Sequence, residues 1–153
     1  KIDVRWCVSC FYNYQTYFHA YKLIDELNLN VSIYTPKQTR GFIDATLGLP
    51  MVDDPKHEAF TELVKLEPFR RALAEHQPEV WFTNIRVRQT EYRNSKDILS
   101  LSNEGVLKIS PFYYWSDEDL DDYLEQNQLP KNTDYFDPVK ALQSRECGIH
   151  LVG

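Results

Sequence analysis

The residue with the most chemistry around it is Cys147, set in Arg145-Glu146-Cys147-Gly148-Ile149-His150. A thiol becomes a nucleophile when nearby positive charge favours the thiolate, and Arg145 and His150 are residue types that do this. Gly148 leaves the following backbone open to a bulky anion. Local composition alone favours the plainer account, a solitary thiol in an inert tail. The second group is Arg86, Arg88, Gln89 and Arg93, which follow the run Glu79 to Thr83. Guanidinium forks match the paired oxygens of phosphate and sulfate. Three arginines within eight residues of an acidic chain point modestly toward an anion-binding loop rather than a solvated one.

Cys7 and Cys10 form Trp-Cys-x-x-Cys after an apolar run, a spacing superficially like a dithiol redox site. Such a site needs a helix starting at the pair, and apolar periodicity delays the helix to about Tyr17. A zinc ribbon needs a second cysteine pair, which the sequence lacks. Two apolar core cysteines is the reading left. His57 and His76 fall on helical segments among polar neighbours and are expected to face solvent.

The elements that must position these groups follow from periodicity. Ile2 to Cys10 reads as a strand, and Tyr17, Ala20, Tyr21, Ile24 and Leu27 mark one face of a helix. Val31 to Tyr34 is a second strand, and a strand–helix–strand unit folds as a parallel pair with a right-handed crossover. Phe42 to Leu47 is a weak helical patch. Asp54-Pro55 signals a helix start with Ala59, Phe60, Leu63 and Val64 behind it, and Pro68 restarts a helix that ends before Pro78. Glu79 to Thr83 is a third strand, and the arginine loop sits where ligands bind in open α/β sheets, beyond the strand's carboxyl end. ILSLS and VLKIS, joined across Asn103-Glu104-Gly105, read as an antiparallel pair. Ser116 and Asp119 form a capping box, and the acidic run Asp117 to Asp122 suits that helix's N-terminus. Asp137-Pro138 opens a last short helix.

Helices alternating with strands give an α/β fold with a mostly parallel sheet. At 153 residues the chain reads as one domain, residues 1–153, with a mobile tail over 144–153. The net charge of −6 argues against non-specific nucleic-acid binding, which needs a positive field. No apolar run is long enough to span a bilayer and no signal-peptide pattern opens the sequence. Three cysteines without framework spacing suit a reducing, cytoplasmic setting.

Several segments together resemble the phosphoadenylyl-sulfate (PAPS) reductases. The tail Arg145 to His150 is similar to that family's Glu-Cys-Gly-Leu-His signature, with Ile149 for Leu. Lys65-Leu66-Glu67-Pro68 with Arg71-Ala72-Leu73 resembles its Lys-Val-Glu-Pro and Arg-Ala-Leu segment. Trp81-Phe82 with Arg86, Gln89 and Arg93 resembles its arginine loop. Gly105-Val106, Lys108, Pro111 and Trp115 match the strand beyond, and Tyr21 with Ile24 to Leu27 an early helix. The resemblance implies an adenine nucleotide alpha hydrolase-like fold and Cys147 as the nucleophile. It implies substrate binding by Lys65, Arg86, Gln89, Arg93, Arg145 and His150.

The implied reaction is thiol-dependent reduction of an adenylyl phosphosulfate to sulfite, with thioredoxin or glutaredoxin as external reductant. No bound cofactor or metal is implied, because no cysteines stand where the related adenylyl-sulfate reductases hold an iron–sulfur cluster. A homodimer is left open. The sequence departs from the family by lacking a Ser-Gly-Gly phosphate loop, by Tyr12-Asn13-Tyr14 in place of Asp-Thr-Gly, and by Ser144 in place of Lys. The stretch between Leu129 and Arg145 is also shorter. These departures imply either that the N-terminal phosphate-loop unit is missing or that the chain is a divergent relative. A nucleotide-binding protein of the same fold without turnover is the alternative function.

Overall fold

The computed structural model describes residues 2–51, 53–87, 97–103 and 105–132. They fall into two compact units, one running to His76 and joined by Asn132, the other from Gln77 to Lys131. The expected helix at Asp137-Pro138 and the tail lie outside the described residues.

In the first unit, strand β1 (Asp3–Cys7) pairs in parallel with β2 (Asn30–Tyr34), in the register Asp3 to Asn30 through Cys7 to Tyr34. The crossover between them is helix α1 (Tyr14–Glu26). It starts three residues before the apolar periodicity begins, because the Asn13 side chain accepts from the backbone N–H of Thr16 at 2.9 Å and stops the first turn from fraying. The helix is seated through Tyr17, whose ring lies 6.1 Å from those of both Trp6 and Tyr12. Tyr21 and Leu27, expected on the same face, are exposed. Helix α2 (Arg40–Thr46) is capped by Thr39. Asp54 accepts from the Lys56 N–H at 2.8 Å, closing a turn that leads into α3 (His57–Thr61).

A widened π turn, Glu62–Leu66, joins α3 to α4 (Glu67–His76), with the Glu67 N–H donating to the Glu62 carbonyl. It comes immediately before Pro68, which has no N–H to donate and whose ring would crowd the Val64 carbonyl of a regular helix. The core of this unit is Phe11, Ile43, Phe60 and Val64, with Leu47 and Leu63 packed against it. Phe11 and Phe60 meet edge-on at 5.0 Å. His57 is buried rather than solvent-facing, because it opens α3 on the side that carries Phe60 into the core.

In the second unit the strand order is β3 (Val80–Phe82), β5 (Leu107–Ile109), β4 (Leu99–Leu101), with β3 parallel and β4 antiparallel to β5. Gly105, at φ +81°, takes the left-handed position of the β4–β5 turn that side chains disfavour. Helix α5 (Asp117–Gln126) opens with the expected capping box of Ser116 and Asp119. The α/β class with parallel strands and flanking helices is therefore the one observed. Among the described residues no helix is long and apolar enough to cross a membrane.

Candidate functional site

In an open α/β sheet ligands lie beyond the carboxyl ends of the parallel strands. In the first unit that edge is Cys7 beside Tyr34, continued by the Val8 N–H donating to the Tyr34 carbonyl at 2.8 Å. The chain then turns sharply, with Cys10 at φ +67°. Lys65, on the widened turn, is buried to 9 % exposure, unusual for a lysine. Arg71, on α4, donates to both carboxylate oxygens of Glu67, at 2.9 and 3.2 Å, and to the Thr35 carbonyl at 2.6 Å. Glu67 also meets Lys37 at 3.4 Å, so one carboxylate serves two cations.

Charge converges on the end of β1. Burial pushes the Cys7 thiol up to about 11, and Arg71 and then Lys65 pull against it. Burial likewise raises Cys10, with Arg40 opposing. Both thiols are half-buried rather than core residues, because they stand at a strand end and a turn. Neither is poised as a thiolate at neutral pH. Glu67 is held below the usual carboxylate range, first by its hydrogen bond from Arg71. Lys37, Arg40, Lys65 and Arg71 thus surround the strand ends against the two carboxylates paired with them, Glu67 and Asp44. Chemically this edge is fitted to hold an anion.

The second unit offers a different carboxyl end. The hydroxyls of Thr83 and Ser110 are buried and 2.9 Å apart, just past β3 and β5. Arg86 follows, its Nη2 2.6 Å from Asp117 Oδ1. The first acidic residue of α5 therefore both suits its helix terminus and holds the arginine expected to bind anions.

Of the expected site residues, Lys65 stands in the first unit and Arg86 in the second. Gln89, Arg93, Arg145, Cys147 and His150 lie outside the described residues. Lys65 is brought together with Cys7 and Arg71; Arg86 with Asp117. The convergence of Arg71 on Cys7 was not foreseen from sequence. Its one local signal is the Glu67–Arg71 spacing of four, which places an ion pair on one helix face.

These features define an α/β protein with cations gathered at the carboxyl ends of parallel strands. A profile of the phosphoadenosine phosphosulfate reductase domain matches residues 11–139, and the chain belongs to that family. It is similar to phosphoadenosine 5′-phosphosulfate reductase of Aliivibrio salmonicida, 37% identical over 119 residues, covering 76% of this chain and 46% of the relative. The enzyme of the same name from Vibrio parahaemolyticus is 34% identical over 116 residues, covering 75% and 44%. The chain thus spans somewhat under half the length of these curated relatives. Among solved structures, phosphoadenylyl-sulfate (PAPS) reductase from Candida auris in a phosphate complex superposes with a TM-score of 0.74. It is 22% identical and the match covers 86% of this chain and 63% of that one, a likeness of fold.

Proposed function

We propose that this chain carries the nucleotide-binding and sulfur-transfer part of a phosphoadenylyl-sulfate reductase acting in sulfate assimilation. The observation that carries the reading is the family match over residues 11–139. The cations at the end of β1 support it, since a phosphosulfate anhydride presents several negative oxygens for guanidinium and ammonium groups to bind. In this reading the Cys147 thiolate attacks the sulfur of the phosphosulfate. The S–O bond to the nucleotide breaks, adenosine bisphosphate leaves with the electron pair, and a Cys147 S-sulfonate remains. A thioredoxin or glutaredoxin dithiol then releases sulfite and is itself oxidised to the disulfide. Lys65, Arg86, Gln89, Arg93, Arg145 and His150 bind or neutralise substrate oxygens.

The test is peptide mass mapping of the natural full-length protein after exposure to the phosphosulfate without thioredoxin. One sulfonate on Cys147 and none on Cys7 or Cys10 is the expected result. Cys147→Ser should abolish sulfite formation and leave nucleotide affinity nearly unchanged. An adduct on Cys7 or Cys10, or sulfite from the serine variant, refutes the assignment. Tight nucleotide binding with no adduct at all favours the non-catalytic alternative.

A further inference from the structure

Near the C-terminal end of α4, side chains from three elements join in one hydrogen-bonded chain. Arg5 of β1 brings Nη2 to 3.1 Å from His76 Nδ1. His76 Nε2 is 2.7 Å from the Tyr34 hydroxyl, and that hydroxyl is 2.6 Å from Glu75 Oε2. A guanidinium can only donate, so Nδ1 must present its lone pair. The ring proton of a neutral His76 then sits on Nε2 and is donated to the Tyr34 oxygen. This leaves the phenolic proton for Glu75. Every bond in the chain runs one way, from the cation toward the carboxylate. The hydrogen bond to Glu75, followed by burial, raises the Tyr34 hydroxyl above its ordinary value, as a donor to a carboxylate should be.

Tyr34 is also where this chain meets the anion site. Its ring lies under the Arg71 guanidinium, with Cζ 5.4 Å from the ring centroid, and Arg71 continues to the Thr35 carbonyl at 2.6 Å. We propose that Tyr34 and His76 are positioning residues for Arg71, and that neutral His76 completes the placement that Glu67 and the Thr35 carbonyl begin. The functional half of this inference rests on reading Lys65 and Arg71 as substrate-binding. The charged and titratable groups around His76 are Arg5 and Asp3 of β1, Tyr34 of β2, and Glu75 and Arg71 of α4. Protonating His76 places an N–H at Nδ1 against the Arg5 N–H. The ring is driven from Arg5, and the phenol under Arg71 keeps Glu75 but loses its histidine partner.

The sign of the effect separates positioning from simple charge. A new cation near the site, acting by charge alone, strengthens anion binding on acidification; loss of Arg71 placement weakens it. Inorganic sulfate is the probe, because its charge is constant where histidine titrates. On the full chain, the ring-nitrogen NMR shifts of His76 at about pH 8 should show a pyridine-type Nδ1 and a pyrrole-type Nε2. Sulfate affinity should fall about three- to tenfold between about pH 8 and 5.5, the loss expected for one hydrogen bond. His76→Gln, which donates from Nε2 and does not titrate, should bind equally well throughout. Tyr34→Phe, which keeps the ring without the hydroxyl, should bind weakly at both pH values.

The opposite tautomer, an affinity that rises on acidification, or an unchanged pH trend in His76→Gln overturns the proposal. If sulfate binds at neither pH, the anion-site reading fails instead. The positioning claim is then decided by the ring-current shift that Tyr34 imposes on the Arg71 δ-methylene protons, expected at the higher pH and lost at the lower in the unaltered chain. A signal indifferent to pH overturns it.

Discussion

Both units present a parallel strand pair with a helix near its end, yet they finish their surfaces differently. In the first, α2, α3 and the widened turn bring Ile43, Phe60 and Val64 to complete burial around Phe11. In the second, Val80, Phe82, Leu99 and Leu101 all alternate to one face of the sheet and all are exposed, Leu101 to 69 %. The alternate face carries Trp81 and the buried Lys108, whose Nζ lies 5.1 Å from the indole centroid. The carboxyl ends differ as well. The first gathers four cations around strand ends where one carboxylate, Glu67, serves two of them, while the second places a hydroxyl pair and an arginine already held by Asp117. Equal strand patterning therefore does not give equal packing or equal electrostatics. Those depend on which helices lie over the sheet and which charges the following loops supply.

The largest expected difference between the units concerns two phenylalanines. Phe60→Ala should cost about 3–5 kcal/mol, the usual range for emptying a fully buried aromatic site. Phe82→Ala, at a residue 52 % exposed, should stay within about 0.5 kcal/mol. Urea denaturation followed by tryptophan fluorescence measures both. Comparable losses would break the contrast, showing that the second unit's apolar face is covered in solution.

A middle-sized effect belongs to the hydroxyl pair. Ser110→Ala leaves the buried Thr83 hydroxyl without that partner and should cost about 1–3 kcal/mol. Adding Thr83→Val should recover part of the loss, because no polar group is then stranded. A double-mutant cycle with zero coupling would mean that the pair does not hold this strand end together.

The smallest effect tests the first unit's charges. Glu67 has a depressed folded value, so its contribution is present above the ordinary glutamate value of about 4.3 and is lost as pH falls through the folded one. Glu67→Gln should therefore lower stability by about 0.3–1 kcal/mol near pH 7, a partly exposed pair being screened by solvent. The difference should vanish in acid. Thermal melts at several pH values check this, and a difference that grows on acidification would reverse the assignment.

Much of the fold was legible because its signals are local. The β1–α1–β2 unit, the turn at Gly105 and the Ser116–Asp119 box each depend on residues a few positions apart. The start of α1 was missed because Asn13 stands among tyrosines that carry no helical period. The widened turn was not foreseen either: Pro68 announces an interruption but not whether the helix ends or expands around it. The site was legible as residue types more than as an arrangement. Lys65 was expected, but its approach to Cys7 joins residues far apart in sequence, and no spacing rule reports that. Asp117 was read only as a helix-terminal charge, since nothing local says that Arg86 reaches it.

The π turn before Pro68 also sets how this segment tolerates changes in length. It takes up one residue more than an α turn needs, so α3 and α4 keep their phase across it. Deleting a residue between Glu62 and Leu66 would close the turn to α geometry and leave residues 67–76 facing as before, whereas a further unabsorbed insertion there would rotate them by about 100° relative to residues 57–61. Such an insertion would take Arg71 from the Tyr34 ring and His76 from Arg5, with no side chain of either partner altered. The deletion would instead force Pro68 into a regular helix interior, its ring against the carbonyl four residues back. An insertion at this point is read as angle, and a deletion as strain at Pro68.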